Sequence, residues 1–251
     1  MALCEFKRPM AQEPEAARTG DMNEDDRIAR NLEAVRRRMG EAARRAGRKE
    51  GDARLVAVTK AVGEAEVRAL FRLGAKDFGE NRVADAEPKI AALAGEPVRW
   101  HMIGHLQRNK VRRVVGRYCL VHSVDSERLL AEIASCAASR GMAQDVLLQV
   151  NVSGEESKFG MAPEALGDVL RLAGETEGVR VAGLMTMAPL EGDPEASRPV
   201  FRALRELRDR FAAPGDPRLP MTELSMGMTQ DYEVAIEEGA TLVRVGSALF
   251  R

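Results

Sequence analysis

The sequence predicts an α/β fold: a single (β/α)8 barrel, with an extra N-terminal helix completing the helical ring. Three observations lead there. Short apolar runs alternate strictly with helix-period stretches along the 251 residues. Eight such units in about 250 residues match one closed barrel. Several runs, such as Leu-Val-Ala-Val and Val-Leu-Leu-Gln-Val, are apolar throughout, as strands covered on both faces are. The rival, a doubly wound open sheet, would place a G-x-G-x-x-G fingerprint after the first strand. The segment L-V-A-V-T-K-A-V-G has none.

Residues 1–22 are polar and unpatterned and read as a disordered tail. Residues 23–251 read as the barrel domain. Its first element is an amphipathic helix over 23–46, with Ile28, Leu32, Val35, Met39, Ala43 and Ala46 on one face. Asn23 suits the N-cap and Gly47 the stop. The outer face carries Arg30, Arg36, Arg37, Arg44 and Arg45. A solvated surface is the plain explanation of that run, and an anionic contact the sharper one. Strands are expected at 54–58, 76–79, 98–103, 119–124, 145–151, 179–185, 221–225 and 241–245. Helices are expected at 64–73, 83–93, 108–115, 126–140, 163–174, 196–211 and 232–238. The sequence given stops just past the eighth strand, so the helix at 23–46 is expected to fill the vacant slot in the ring.

Composition narrows the function. Lys+Arg is 38 against Asp+Glu 39, a formal net charge of −1. General nucleic-acid or membrane-surface binders show a strong basic excess. No apolar run approaches the roughly 20 residues that span a bilayer, and the first 20 residues lack a signal-peptide core. Cys4, Cys119 and Cys136 are few, odd in number and far apart. A disulfide framework or zinc ribbon is therefore excluded, in keeping with a cytoplasmic setting. His101 and His105 have the spacing of two metal ligands on a helix, but Gly104 and the strand-like V-R-W-H-M-I speak against it. No metal is expected.

Barrel active sites form at the C-terminal ends of the strands. The residues there are Lys60, Glu80 with Asn81, His101 with Ile103, Ser123, Asn151, Met185 with Thr186, Ser225 to Thr229, and Gly246 with Ser247. Phosphate sites in barrels are often built after strands seven and eight. Ser225 and Gly227 occupy one of those slots, and Gly246 and Ser247 the other. Glycine admits close backbone approach, and the serines add hydroxyls. Lys60 ends the first strand, where desolvation would lower its pKa and free a nucleophilic amine. A carbonyl-capturing lysine beside a phosphate cradle leaves two options: pyridoxal phosphate, or a class I aldolase acting on a sugar phosphate. Arg244, two residues before Gly246, favours the first. An arginine at the pyridine nitrogen keeps that nitrogen unprotonated, because arginine does not give up its proton.

The segments L-V-A-V-T-K, F-G-E-N-R-V, W-H-M-I-G-H-L-Q-R-N-K, V-N-V-S-G-E-E-S-K-F-G-M, G-L-M-T-M, L-S-M-G-M-T-Q-D-Y-E-V-A-I and V-R-V-G-S-A-L-F run in order across about 31–250. In them the chain resembles the pyridoxal-phosphate homeostasis protein family. The resemblance implies a barrel similar to the alanine racemase N-terminal domain (the fold type III architecture). It implies covalent pyridoxal phosphate and a role in cofactor homeostasis and delivery to apoenzymes, with no substantial turnover. It implies that Lys60 is the aldimine lysine and that Ser225, Gly227, Gly246 and Ser247 hold the phosphate. Arg244 would face the ring nitrogen, Asn81 would lie near the ring, and His101 and Met185 would line the pocket. Lys158, in S-G-E-E-S-K-F-G-M, is a second lysine near the mouth whose task the residues do not define. Arg108, Lys110, Arg112, Arg113 and Arg117 form a basic cluster, by default a solvated helix face.

Thr59 stands where serine is common in this family, and Ala61-Val62-Gly63 replaces its usual lysine–proline. A racemase or decarboxylase of the same architecture would need a second, β-rich domain and a second acid/base group. The only tyrosines here are Tyr118 and Tyr232. An adaptor using the arginine-rich helix would not need Lys60 at all. A monomer is expected.

Overall fold

The computed structural model describes residues 23–155, 159–189, 192–212 and 215–251. The expected tail, and Lys158, lie outside them. The order is α1 (Glu24–Arg45), β1 (Arg54–Val58), α2 (Glu64–Arg72), β2 (Asp77–Glu80), α3 (Val83–Ala92), β3 (Arg99–Met102), α4 (Val111–Val114), β4 (Leu120–Val124) and α5 (Glu127–Ala138). It continues with β5 (Gln144–Gln149), α6 (Leu166–Glu175), β6 (Val179–Met185), α7 (Arg198–Phe211), β7 (Glu223–Ser225), α8 (Tyr232–Glu237), β8 (Leu242–Val245) and α9 (Ser247–Phe250). The strands pair in sequence order, all parallel, and β1 closes on β8.

Two cores result. The larger lies between sheet and helices and holds the outward strand residues with the apolar helix faces. The smaller is inside the barrel: Val56, Leu120, Leu147, Ala182, Met185 and Leu242. The interior also carries buried polar side chains at His101, His122, Ser225 and Arg244. Partly polar filling on this scale has to be hydrogen-bonded to be tolerated.

α1 takes the place in the ring that the sequence assigns it. Asn23 caps its start, its side chain accepting from the Asp25 N–H at 3.4 Å. Gly47 follows the C-cap with φ of 68°. Ile28, Leu32 and Val35 are buried against the barrel. The outer arginines are largely engaged. Arg45 pairs with Glu233 and Glu237 of α8, Arg37 with Glu41, and Arg44 with Glu50. Arg36 donates to the Leu73 carbonyl. In the other basic cluster, Arg113 and Arg117 share Glu87.

Several boundaries differ from the sequence expectation. The helix expected at 108–115 is a 3-10 turn (Arg108–Lys110) followed by the single turn α4, because the β-branched run there ends in Gly116 with φ of 77°. The helices expected from 163 and 196 likewise open as 3-10 turns, at Pro163 and Pro194. Met221 lies before β7, not in it, with φ of 47°. The last residues, Ser247–Phe250, form the one-turn helix α9.

Candidate functional site at the barrel mouth

A cleft of about 740 Å3 opens at the C-terminal ends of the strands. Lys60, Asn81, Met185, Arg244, Gly246 and Ser247 line it, as the sequence predicts. His105, Gln149, Phe159, Met228, Thr229 and Asp231 also contribute. His101, Ser225 and Gly227 do not.

Lys60 follows β1 directly. Its amine has no hydrogen-bond or ion-pair partner among the described residues, and the side chain is exposed. That corrects the expectation of a desolvated lysine: the strand end is buried at Thr59, but the next residue already projects into the open mouth. What holds this strand end is a buried cluster behind it. Thr59 Oγ1 donates to Glu80 Oε1 at 2.5 Å. Lys89 Nζ, from α3, donates to the same Glu80 oxygen at 2.8 Å and to the Thr59 carbonyl at 2.7 Å. The threonine in place of serine keeps the hydroxyl this cluster uses. Glu80 Oε2 is buried without a partner.

Arg244 lies on β8, next to β1, with Val56 as its register partner. It is 5% exposed. Burial lowers its guanidinium pKa to about 10, which leaves it charged at neutral pH. One terminal nitrogen donates to Ser225 Oγ at 2.5 Å and the other to the Thr186 carbonyl at 3.0 Å.

The Ser225 side chain is thus turned into the barrel, and this corrects the expectation of a phosphate hydroxyl there. Gly227 is also set back. Its φ is 88°, and a Cβ on it would lie 2.5 Å from the Ala235 Cβ and 2.9 Å from the Tyr232 Cα, so the glycine is needed where the loop passes over α8. The loop turns further at Asp231, whose carboxylate accepts from the Met228 N–H at 2.7 Å and from Ser197 Oγ at 3.0 Å. This brings Thr229 to the mouth. Its Oγ1 accepts from the Gly246 N–H at 3.4 Å and lies 3.2 Å from Ser247 Oγ. Thr229, Gly246 and Ser247, with the first amides of α9, form a cluster of donors suited to an anion. From the sequence, Thr229 is expected at the mouth without a role, and Asp231 is passed over. The signal was present in S-M-G-M-T-Q-D, four and six residues beyond Ser225.

His101 is placed deeper than expected. It is 1% exposed and lies inside the barrel, with Nδ1 2.9 Å from His122 Nε2 and Nε2 2.9 Å from Asp77 Oδ1. The pocket-lining histidine is His105 instead, stacked on Phe159 at 4.6 Å between ring centroids and 3.3 Å from Asp125. Tyr118 and Tyr232 are buried away from the cleft. Burial raises both phenol pKa values, that of Tyr118 to about 12.

Comparison with known proteins agrees with this architecture. Residues 26–251 match the family model described as alanine racemase, N-terminal domain. The pyridoxal phosphate homeostasis protein of Aquifex aeolicus is 44% identical over 229 residues, covering 91% of this chain and 98% of the relative. The structure of PipY from Synechococcus elongatus PCC7942 with PLP bound superposes with a TM-score of 0.76 at 33% identity, covering 89% of this chain and all of that one. An alanine racemase from Clostridium difficile 630 shares the fold alone, at 15% identity and a TM-score of 0.69, over 89% of this chain and 59% of that one. With residues 26–251 inside that domain model and a relative this similar over nearly its whole length, the chain belongs to the pyridoxal phosphate homeostasis protein family.

Proposed function

We propose that this protein binds pyridoxal 5'-phosphate covalently through the Lys60 amine and serves cofactor homeostasis, with no substantial turnover of its own. The observation that carries the proposal is the composition of one cleft: an unpartnered lysine amine, a charged buried arginine, and the Thr229–Gly246–Ser247 donors. This donor set fits the cofactor, which presents an aldehyde, a pyridine ring and a phosphate. When bound, pyridoxal phosphate supplies a carbonyl that amines capture and a ring that can take up electron density. The chain's own residues do the rest. Lys60 provides the amine. Thr229, Gly246, Ser247 and the α9 amides hold the phosphate. Arg244 faces the ring nitrogen and keeps a proton off it, which weakens the electron sink. Asn81 and Met185 flank the ring. Ser225, Gly227 and His101 support the site from behind.

Two features support a carrier over a racemase. Tyr118 and Tyr232 are buried elsewhere, so neither stands ready as a second base beside Lys60. The relatives are named for homeostasis. Attachment through an amine is reversible by exchange onto another amine, which suits delivery to an apoenzyme. A cytoplasmic setting and a monomeric state belong to the same reading. No helix among the described residues is long and apolar enough to cross a membrane, and Cys119 and Cys136 are free.

Absorption spectra of the purified protein, followed by borohydride reduction and peptide mapping, test this. A reduced pyridoxyl group on the Lys60 peptide is expected, together with no racemisation of amino acids. Protein left unlabelled after incubation with excess pyridoxal phosphate overturns the proposal and favours the aldolase reading.

A further inference from the structure

A file of buried polar groups crosses the barrel interior beneath the mouth. Its outer end is Asp77 on β2, both of whose oxygens are paired by the half-exposed Arg99 of β3, with Nε 2.7 Å from Oδ1. Asp77 Oδ1 meets His101 Nε2 at 2.9 Å, and His101 Nδ1 meets His122 Nε2 at 2.9 Å. His122 Nδ1 meets Ser225 Oγ at 2.8 Å, and Ser225 Oγ meets Arg244 at 2.5 Å. The line therefore joins strands β2, β3, β4, β7 and β8, and only its last member reaches the cleft.

Valence settles much of the proton order. Burial pushes the Asp77 carboxyl up, but hydrogen bonds from His101 and Arg99 outweigh it and hold the group well below the usual carboxylate range. Asp77 is then an acceptor, and His101 Nε2 carries a proton. Burial, with the charges of His101, Arg244 and Arg54, pushes His122 well below the ordinary histidine value, so its ring bears one proton. Arginine only donates. With a single proton on His101, every bond runs one way: Arg244 to Ser225, Ser225 to His122, His122 to His101, His101 to Asp77. A second proton on His101 reverses the middle bonds, yet Ser225 Oγ still accepts from Arg244. In the first order the Ser225 hydroxyl proton is committed to His122, and in both the hydroxyl lies in the interior, 0% exposed.

We propose that Ser225, His122, His101 and Asp77 are positioning residues that hold Arg244 in one orientation at the floor of the mouth, and that Ser225 acts on the bound cofactor through Arg244 and not through the phosphate. The inference deepens the functional reading above and rests on it for the identity of the ligand. Two of the five N–H donors of Arg244 are taken by Ser225 and the Thr186 carbonyl. The others stay available on a side chain that lines the cleft.

The discriminating comparison uses pyridoxal 5'-phosphate and pyridoxal, which lacks the phosphate. In Ser225→Ala both affinities fall together, by about five- to tenfold, and their ratio stays within about twofold of wild type. The visible absorption band of the loaded protein shifts its pH titration. Ser225→Thr, which keeps the hydroxyl, restores both readouts, and His122→Phe reproduces the alanine variant although it lies farther from the cleft. A selective loss of pyridoxal phosphate affinity in Ser225→Ala, with pyridoxal unchanged, makes Ser225 a phosphate ligand and overturns the proposal. A second arm needs no cofactor. Nitrogen-15 NMR of the wild-type protein should resolve the slowly rotating Arg244 guanidinium, and Ser225→Ala should collapse those signals. Signals unchanged in both Ser225→Ala and His122→Phe overturn the positioning role. Wild-type protein that takes up no pyridoxal phosphate while passing the NMR arm sinks the functional reading alone.

Discussion

Lys60, just past the end of β1, and Arg244, on the adjoining β8, are close in the sheet, yet the barrel holds them by different means. Behind Lys60 the support is local and ionic: Glu80 and Lys89 pair within 2.8 Å and clasp Thr59, the residue before the lysine. That cluster fixes backbone and leaves the Lys60 side chain loose. Behind Arg244 the support is long and largely uncharged, a file through Ser225 and two histidines to Asp77. It fixes a side chain. The difference matches the role proposed for each group. An amine that must reach, capture and release a carbonyl needs freedom at its tip. A cation that must face one ring atom gains from having none.

Breaking the ionic side should have the largest effect. Lys89→Met leaves the buried Glu80 carboxylate without its cation, and loss of one partner of such a pair costs about 3–5 kcal/mol. Urea unfolding of the variant should show that loss. The double variant Glu80→Gln/Lys89→Met should recover most of it, because the uncompensated charge is gone. A loss below about 1 kcal/mol in Lys89→Met would show that water or rearrangement compensates Glu80. The clasp would then be dispensable.

The Arg244 side should be sensed through pH. His122 holds its proton less readily in the folded protein than in the unfolded chain. Below the ordinary histidine value of about 6.5 the unfolded chain therefore binds a proton that the native state refuses. Its contribution is complete above that pH and falls as the pH drops, by at most about 1.4 kcal/mol per unit. Asp77, whose pKa is depressed, keeps its own contribution complete down to about pH 4 and loses it only below that. Between these limits the wild type should lose stability with a slope that His122→Gln largely removes. Equal slopes in the two proteins would place the proton elsewhere than on His122.

These two supports were unequally visible in the sequence. The barrel was legible because eight apolar runs at regular spacing leave few ways to close. Lys60, Arg244, Gly246 and Ser247 were legible because a strand end or a two-residue offset decides where they point. Ser225 differs from expectation for a related reason: its place at the end of the seventh strand predicts the mouth, but its side chain takes the inward parity and meets Arg244 and His122. His101 failed likewise, since nothing within V-R-W-H-M-I announces that His122, 21 residues on, faces it. Pairings across the barrel interior depend on shear and register, which periodicity does not encode. Lys89 is the extreme case. Nothing in its sequence setting singles it out, and lysine is rarely buried unless paired, whereas here it is 5% exposed.

The same charges in solvent should matter least, and they complete the contrast. Arg45 on α1 reaches Glu237 at 2.6 Å and Glu233 at 3.1 Å on α8, distances on either side of the 2.8 Å of the Glu80–Lys89 pair. Its side chain is 49% exposed, however, and water stands ready to replace either partner. Exposed pairs of this kind are worth about 0.2–1 kcal/mol. Arg45→Ala should therefore shift the urea midpoint only slightly and leave the closed ring intact, because Ile28, Leu32 and Val35 already bury α1 against the barrel. Added salt should lower wild type and variant nearly alike. A loss in Arg45→Ala comparable to that in Lys89→Met would mean that charge, and not apolar burial, seats the N-terminal helix, and confinement would no longer explain why the mouth's ionic clasp is the costly one to break.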